Sequence, residues 1–438
     1  MAVFALPASL AYAQASEDVP AGEVEAEVEA EAEIEAEAET EAEAEAEAVP
    51  ETATEAPPAE PSSSDLEVVT DPLHAGSDAT ASGEATNSGP RITASFIEGV
   101  RVTVPEAAGF TFEVHLATWA RFVTGATVGG GAEAYFDVPL VRPILQTSVF
   151  DGMFRILVQP ELAGPNPRLL DLHLDFVPDR AFALRLGQFR TPYSRAFVAP
   201  LIQLTMPDRG IVSDTFRADR DTGLMAFGQV GDVFEYSVGV FDGAAIDGRA
   251  GDTPPPMAVG RVVVTPYGHV PYDQVPSLTI ESPRGLAIGA GGFYRDRNVQ
   301  DAAGMMVGQR TASVGGDLSL VEGPFAFTSE GFYQERSTDS GPWIASWGAF
   351  AQAGVFVIPQ ILELSARGGW IDPDLGVDAG IVQSYEGALN LYLVVDDVAY
   401  GHHLSLGLRY GYFDSPIPFG AVPQGSTHRV TLQLRAWI

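Results

Sequence analysis

From Arg91 to Ile438 the chain alternates apolar and polar residues with a period of two. Leu404, Leu406, Leu408, Tyr410 and Tyr412 fall on one face of an extended segment, and Ser405, Gly407, Arg409 and Gly411 on the other. Val430, Leu432, Leu434, Ala436 and Ile438 alternate in the same way with Arg429, Thr431, Gln433 and Arg435. Phe234, Tyr236, Val238 and Val240 oppose Glu235, Ser237 and Gly239, and Leu362, Leu364 and Ala366 oppose Glu363, Ser365 and Arg367. Further such runs are Leu170, Leu172, Leu174 and Phe176 against Asp171, His173 and Asp175; Phe112, Val114 and Leu116 against Glu113 and His115; and Leu184 and Leu186 against Arg185 and Gly187. This period predicts strands exposed to two different media on their two faces.

Each segment is ~8–11 residues long and is bounded by Gly, Pro or Asp, the dimensions of a transmembrane strand with its turn. No stretch approaches the ~18–20 apolar residues of a spanning helix, so a membrane crossing here must use strands, and those must close on themselves. Tyr410 and Tyr412 end an apolar face, as an aromatic girdle at the headgroups would. The opposite faces mix Gly with both signs of charge, which a watery lumen accepts and a sandwich core does not. The fold class expected is all-β: a transmembrane antiparallel β-barrel of about 16 strands preceded by a disordered acidic segment. A secreted soluble β protein is the rival, and it predicts solubility without detergent.

Charge divides the chain. The formal net charge is −35, yet between Gln14 and Pro90 there are 23 acidic residues and no Lys or Arg. Glu-Ala alternation from Glu23 to Ala48 puts like charges at i and i+4 of any helix, and both residue types are poor strand formers. Residues 16–90 are therefore expected to stay solvated, with Pro, Ser, Thr and Gly completing the linker. Residues 1–15 read as a signal peptide, because Ala11-Tyr12-Ala13 and Ala13-Gln14-Ala15 suit signal peptidase. A basic stretch before the apolar run is missing, which points to a natural start further upstream. Residues 91–438 form the expected barrel, with the tail on its periplasmic side.

All 24 basic residues are Arg, and the chain contains neither Lys nor Cys. No basic stripe exists to displace phosphate counterions, so nucleic acid is not an expected partner. The histidines show no metal-ligand spacing, and adjacent His402 and His403 would point to opposite faces of a strand. No metal or cofactor is expected. No Gly-x-Ser-x-Gly elbow occurs, and the chain does not read as an enzyme.

By phase, Arg155, Arg185, Arg261, Arg367, Arg409, Arg429 and Arg435 should face the lumen, balanced by Glu113, Asp171, Asp175, Glu235, Asp317, Glu330 and Glu363. Selectivity then depends on which charges occupy the narrowest point. The long connection from Arg190 to Asp221 is the candidate, since loops of this length in compact structures are functional or disordered. It carries Arg190, Arg195, Arg209, Arg217 and Arg220 against Asp208, Asp214, Asp219 and Asp221. Folded inward, it would offer guanidinium forks to phosphate or carboxylate oxygens. The expected constriction residues are Arg185, Arg190, Arg195, Arg217, Arg220 and Arg261.

Within Phe182 to Pro266 the sequence resembles the phosphate-selective porin O/P family of outer-membrane channels. The residues that carry this are Leu184-Arg185-Leu186-Gly187-Gln188-Phe189-Arg190-Thr191-Pro192-Tyr193, Arg220-Asp221-Thr222-Gly223-Leu224, Tyr236-Ser237-Val238-Gly239-Val240-Phe241-Asp242-Gly243, and Gly260-Arg261 with Pro266. Weaker echoes occur at Gly323-Pro324-Phe325, Glu330-Gly331-Phe332-Tyr333 and Leu362 to Arg367. The resemblance implies a sixteen-stranded, commonly trimeric barrel in the bacterial outer membrane. It would pass small anions such as phosphate by passive diffusion through an arginine-lined constriction. The phosphate-selective members resemble one another in lysines near the pore mouth, a charge that arginine would have to supply here. A plugged or structural barrel, tethered to the cell wall, is the alternative.

Overall fold

The computed structural model describes residues 90–95, 99–104, 108–244, 256–280, 282–300, 306–338, 341–378, 380–395, 398–399, 401–420 and 422–438. The expected signal peptide (1–15) and nearly all of the acidic linker (16–90) lie outside the described residues. Among the described residues the first strands are the hairpin β1 (Arg91–Ser95) and β2 (Gly99–Val104). The wall starts with β3 (Phe110–Thr127), β4 (Ala132–Val149), β5 (Phe154–Glu161), β6 (Arg168–Asp179), β7 (Phe182–Arg190) and β8 (Arg220–Val230). It continues with β9 (Phe234–Phe241), β10 (Met257–Gly268), β11 (Arg284–Gln300), β12 (Met306–Glu322), β13 (Phe325–Thr338), β14 (Ile344–Ile358), β15 (Leu362–Asp372) and β16 (Val382–Tyr392). A two-residue-per-strand hairpin, β17 (Val394–Val395) and β18 (Val398–Ala399), precedes the last wall strands β19 (Leu404–Ser415) and β20 (Gly425–Trp437).

Each wall strand pairs antiparallel with the next, and β20 pairs with β3 from Thr427↔Thr127 to Trp437↔Ala117. Sixteen strands thus close into one barrel, as the period-two pattern predicts. Closure leaves no wall strand lacking a neighbour on either side, the condition for strands in lipid. Outward residues are apolar and half-exposed: Leu406, Leu408 and Tyr410 on β19, Leu432 and Leu434 on β20, Val238 and Val240 on β9. Their inward neighbours Ser405, Arg409, Thr431, Gln433, Arg435 and Glu235 are buried. Leu170 departs from the expected alternation. It is the extra residue where the β5–β6 register shifts, since Gln159 faces Asp171 and Pro160 faces Leu169, and it turns inward beside Asp171. The aromatic girdle expected at Tyr412 is a belt: Tyr412 stacks on Tyr385, whose hydroxyl accepts from Trp370 Nε1 at 3.2 Å.

Because consecutive strands are antiparallel, the connections alternate between two rims. Ile438 lies at one of them, and there residues 150–153, 180–181, 231–233, 323–324 and 359–361 turn within two to four residues. Two connections on this C-terminal rim break that rule, 269–283 and 393–403. On the opposite rim the longest connection is 191–219, between β7 and β8.

Candidate functional site

The inner face of the wall is not uniformly polar. Phe293, Phe332, Phe350 and Ile371 point inward from β11, β13, β14 and β15 and are buried. Such a patch would be costly against water, and the 191–219 connection covers it. The neck of this connection is closed where Thr191 N and Oγ1 both donate to Asp219 O, at 3.1 and 2.7 Å. Helix α1 (Arg195–Val198) follows, started by Ser194, whose Oγ accepts from Phe197 N at 3.2 Å. A 3₁₀ turn at Leu201–Gln203 and helix α2 (Gly210–Phe216) complete it.

The apolar residues of the loop dock it. Tyr193 meets Phe293 edge-on at 4.9 Å, and Phe216 stacks on Phe332 at 5.5 Å. Leu201 and Ile202 reach Trp119, Leu140 and Trp437 on β3, β4 and β20. The connection therefore leaves the wall at β7, touches β11 to β15, and also touches the strands at the closure. It crosses the bore. Gly348 permits the closest approach, since a Cβ there would lie 2.4 Å from the Phe216 ring. Gly348→Val is expected to push α2 off the wall and cost about 1–3 kcal/mol of overpacking. The check is the temperature at which the detergent-folded barrel loses its compact gel mobility, which should fall.

The polar contacts of the crossing are ionic. Asp208 Oδ1 accepts from Arg367 Nη2 at 2.6 Å, and Oδ2 from Arg409 Nη1 at 2.5 Å. Glu386 accepts from the same two arginines at 2.8 Å each, so two guanidinium groups sit between two carboxylates. Burial alone would raise the Asp208 carboxyl, but Arg409 and Arg367 outweigh it and hold it below the usual carboxylate range. Gly210 has φ +81°, and a Cβ there would lie 2.8 Å from the Arg367 guanidinium carbon. Arg209 donates to Ala196 O and Ala199 O at 2.8 and 2.6 Å. Burial, then repulsion from Arg220, pushes Arg209 down to about 9, so it stays charged at neutral pH. Arg435 on β20 donates to Leu204 O at 2.5 Å. Glu330 on β13 accepts from Ala196 N.

The structure brings four of the six expected constriction arginines into the crossing or against it. Arg190 Nη1 donates to Val198 O at 2.8 Å. Arg195 is buried, with Nη2 donating to Val270 O at 3.1 Å and its guanidinium 4.5 Å from the Tyr272 ring centre. Arg217, one-third exposed, pairs with Asp214 at 2.7 Å. Arg261 donates to Tyr193 O at 3.2 Å and pairs with Asp317 at 2.7 Å. Arg220 is buried at the foot of the loop, held by both Asp171 oxygens at 3.0 and 3.1 Å. Arg185 is placed apart, in the wall: its hydrogen bonds go to both Asp175 oxygens at 2.7 Å, between the rings of Phe189 and Phe227. Phase identifies that Arg185 faces inward but not its height along the bore. Arg209, Arg367, Arg409 and Arg435 were not among the expected constriction residues, although phase or loop position had marked each of them. Among the described residues no cluster of His, Asp and Glu could hold a metal ion.

No protein-family model matches the chain, and no curated protein does. Solved structures with this fold include an anion-selective porin from Comamonas acidovorans, 13% identical over 75% of this chain and 100% of that one, with a TM-score of 0.52. The outer-membrane channel DcaP of Acinetobacter baumannii is 12% identical, with coverage of 76% and 98% and a TM-score of 0.52. The outer-membrane protein OmpT of Vibrio cholerae is 11% identical, with coverage of 75% and 98% and a TM-score of 0.53. At such identities the likeness is one of fold.

Proposed function

We propose that this chain is an outer-membrane porin that lets small solutes, anions foremost, diffuse through a constriction made by the 191–219 crossing. One observation carries the reading: inside a closed sixteen-strand barrel, a loop crosses the bore among guanidinium groups that outnumber the carboxylates touching it. The loop carries Arg195, Arg209 and Arg217 and receives bonds from Arg190, Arg261, Arg295, Arg367, Arg409 and Arg435, against its own Asp208, Asp214 and Asp219 with Glu330 and Glu363 of the wall. Guanidinium forks suit planar or tetrahedral oxyanions, which makes phosphate and carboxylate solutes the natural cargo. The short turns of the C-terminal rim suit the periplasmic side of a barrel, which would place the N-terminal segment there too. A homotrimer in outer-membrane lipid is part of the proposal, in line with a Vibrio cholerae OmpT structure described as its trimer form.

The test is planar-bilayer current from detergent-purified protein under a KCl gradient. Stepwise conductance with an anion-directed reversal potential is expected. Arg190→Ala, Arg217→Ala and Arg220→Ala should each move that potential toward cations. Permeability ratios unchanged in all three would sink the anion claim while leaving the porin. A second reading, a plugged barrel, is favoured by one observation: the 269–283 connection also enters the interior and meets the crossing. Silence from folded protein would select it.

A further inference from the structure

The C-terminal rim has short turns except where 269–283 and 393–403 run long, and these two meet each other. Asp273 Oδ2 pairs with His402 Nε2 at 2.9 Å, with both side chains only 4% exposed. Asp273 Oδ1 accepts from Val275 N at 2.7 Å, which shapes the turn. Val270 packs on Val263, Ala287 and Val321, while Val275 and Leu278 pack on Phe356 and Tyr392. An ordinary hairpin between β10 and β11 needs none of this chain. The segment reaches from its own rim to the loop that enters from the other. Gln274 N donates to Gln203 O at 3.1 Å, and Gln274 Oε1 accepts from Thr205 N at 3.2 Å. Arg195 donates to Val270 O and Pro271 O, and Tyr272 lies beneath its guanidinium.

We propose that 269–283 is the floor of the constriction, a second specificity element that sets the solute-size cutoff by holding the crossing in place through buried Arg195. The Asp273–His402 pair latches it to the wall side. Removal of the floor would leave the crossing supported from one rim only, and Arg195 would lose its two carbonyl partners and its ring. This rests on the channel reading, and the experiment separates the two. One variant replaces 269–283 by Asn-Gly, a two-residue hairpin turn suited to joining adjacent antiparallel strands. A milder one is Asp273→Ala with His402→Ala.

Single-channel conductance in planar bilayers is read alongside liposome swelling with uncharged sugars from mono- to tetrasaccharide. Compact, heat-modifiable gel mobility certifies folding. Both folded variants should conduct about two-fold more than the parent or better, because the narrowest section limits current, and should admit larger sugars. Wild-type conductance and cutoff in both would overturn the floor and keep the channel. A silent parent beside a conducting floorless variant would support the floor and make the parent a plugged barrel. Silence from all three would overturn both ideas, since the floor would then not be what closes the bore.

Discussion

Asp208→Ala is expected to enlarge the conductance step while leaving the barrel folded. Asp208 is the loop side chain that ties the crossing to Arg367 on β15 and Arg409 on β19. Neither arginine is stranded by the change, because Glu386 still accepts from both at 2.8 Å. Each wall arginine therefore keeps a carboxylate partner, although the two now share one, and the loop loses its side-chain tether while Arg367 Nη1 still donates to the backbone oxygen of residue 208. Asp208 is 38% exposed, so the loss is that of partly screened charge-assisted bonds, about 1–2 kcal/mol of docking. One carboxylate also leaves the bore, so the reversal potential should move further toward anions. Unchanged step size and unchanged reversal potential in the folded variant would mean that Asp208 does not hold the constriction. The pH dependence of the parent follows with a definite sign. A carboxyl held below its ordinary value contributes its docking fully above the ordinary pKa of ~3.9, and loses it only as pH falls through the lowered value. On this contact alone, conductance should be flat from neutral pH down to that ordinary value and rise only under stronger acid.

A larger stability effect is expected at the foot of the loop. Arg220→Met leaves Asp171 buried without its bidentate partner, and breaking a buried pair from one side costs about 3–5 kcal/mol. The double variant Asp171→Asn with Arg220→Met should recover most of that loss, since no uncompensated charge remains. Thermal unfolding in detergent, followed through the gel-mobility shift, measures both. If the single and double variants lose equal stability, the pair is not the source of the effect. Reversal potential should still shift toward cations in the double variant if Arg220 helps choose anions. That separates its structural weight from its electrostatic one.

The sequence displayed the wall far better than its contents. Strict alternation assigns Arg367, Arg409 and Arg435 to the inner face, because period two has only two answers. It also marks 191–219, since nothing there alternates. It does not report height or azimuth. Arg185 shares the inward phase of Arg261, yet one pairs with Asp175 in the wall and the other meets the crossing at Tyr193. A better clue was available in the inward phase of Phe293, Phe332 and Phe350. Aromatics on a face that should meet water mark where another part of the chain must dock. The 269–283 floor left no such mark, because its Pro, Asp, Ser and Tyr residues resemble any generous turn.

The closing seam joins residues 300 positions apart, Thr127 and Thr427, so the wall is completed only when the final strand arrives. Such long-range pairing is slow to form, and the open edges of β3 and β19 are hazards until it does. That same final strand carries Arg435, which grips Leu204 O in the crossing. Sealing of the wall thus also completes one of the holds on the crossing. A molecule arrested before that seam forms would be prone to aggregate through those edges and would lack the Arg435 hold on the crossing.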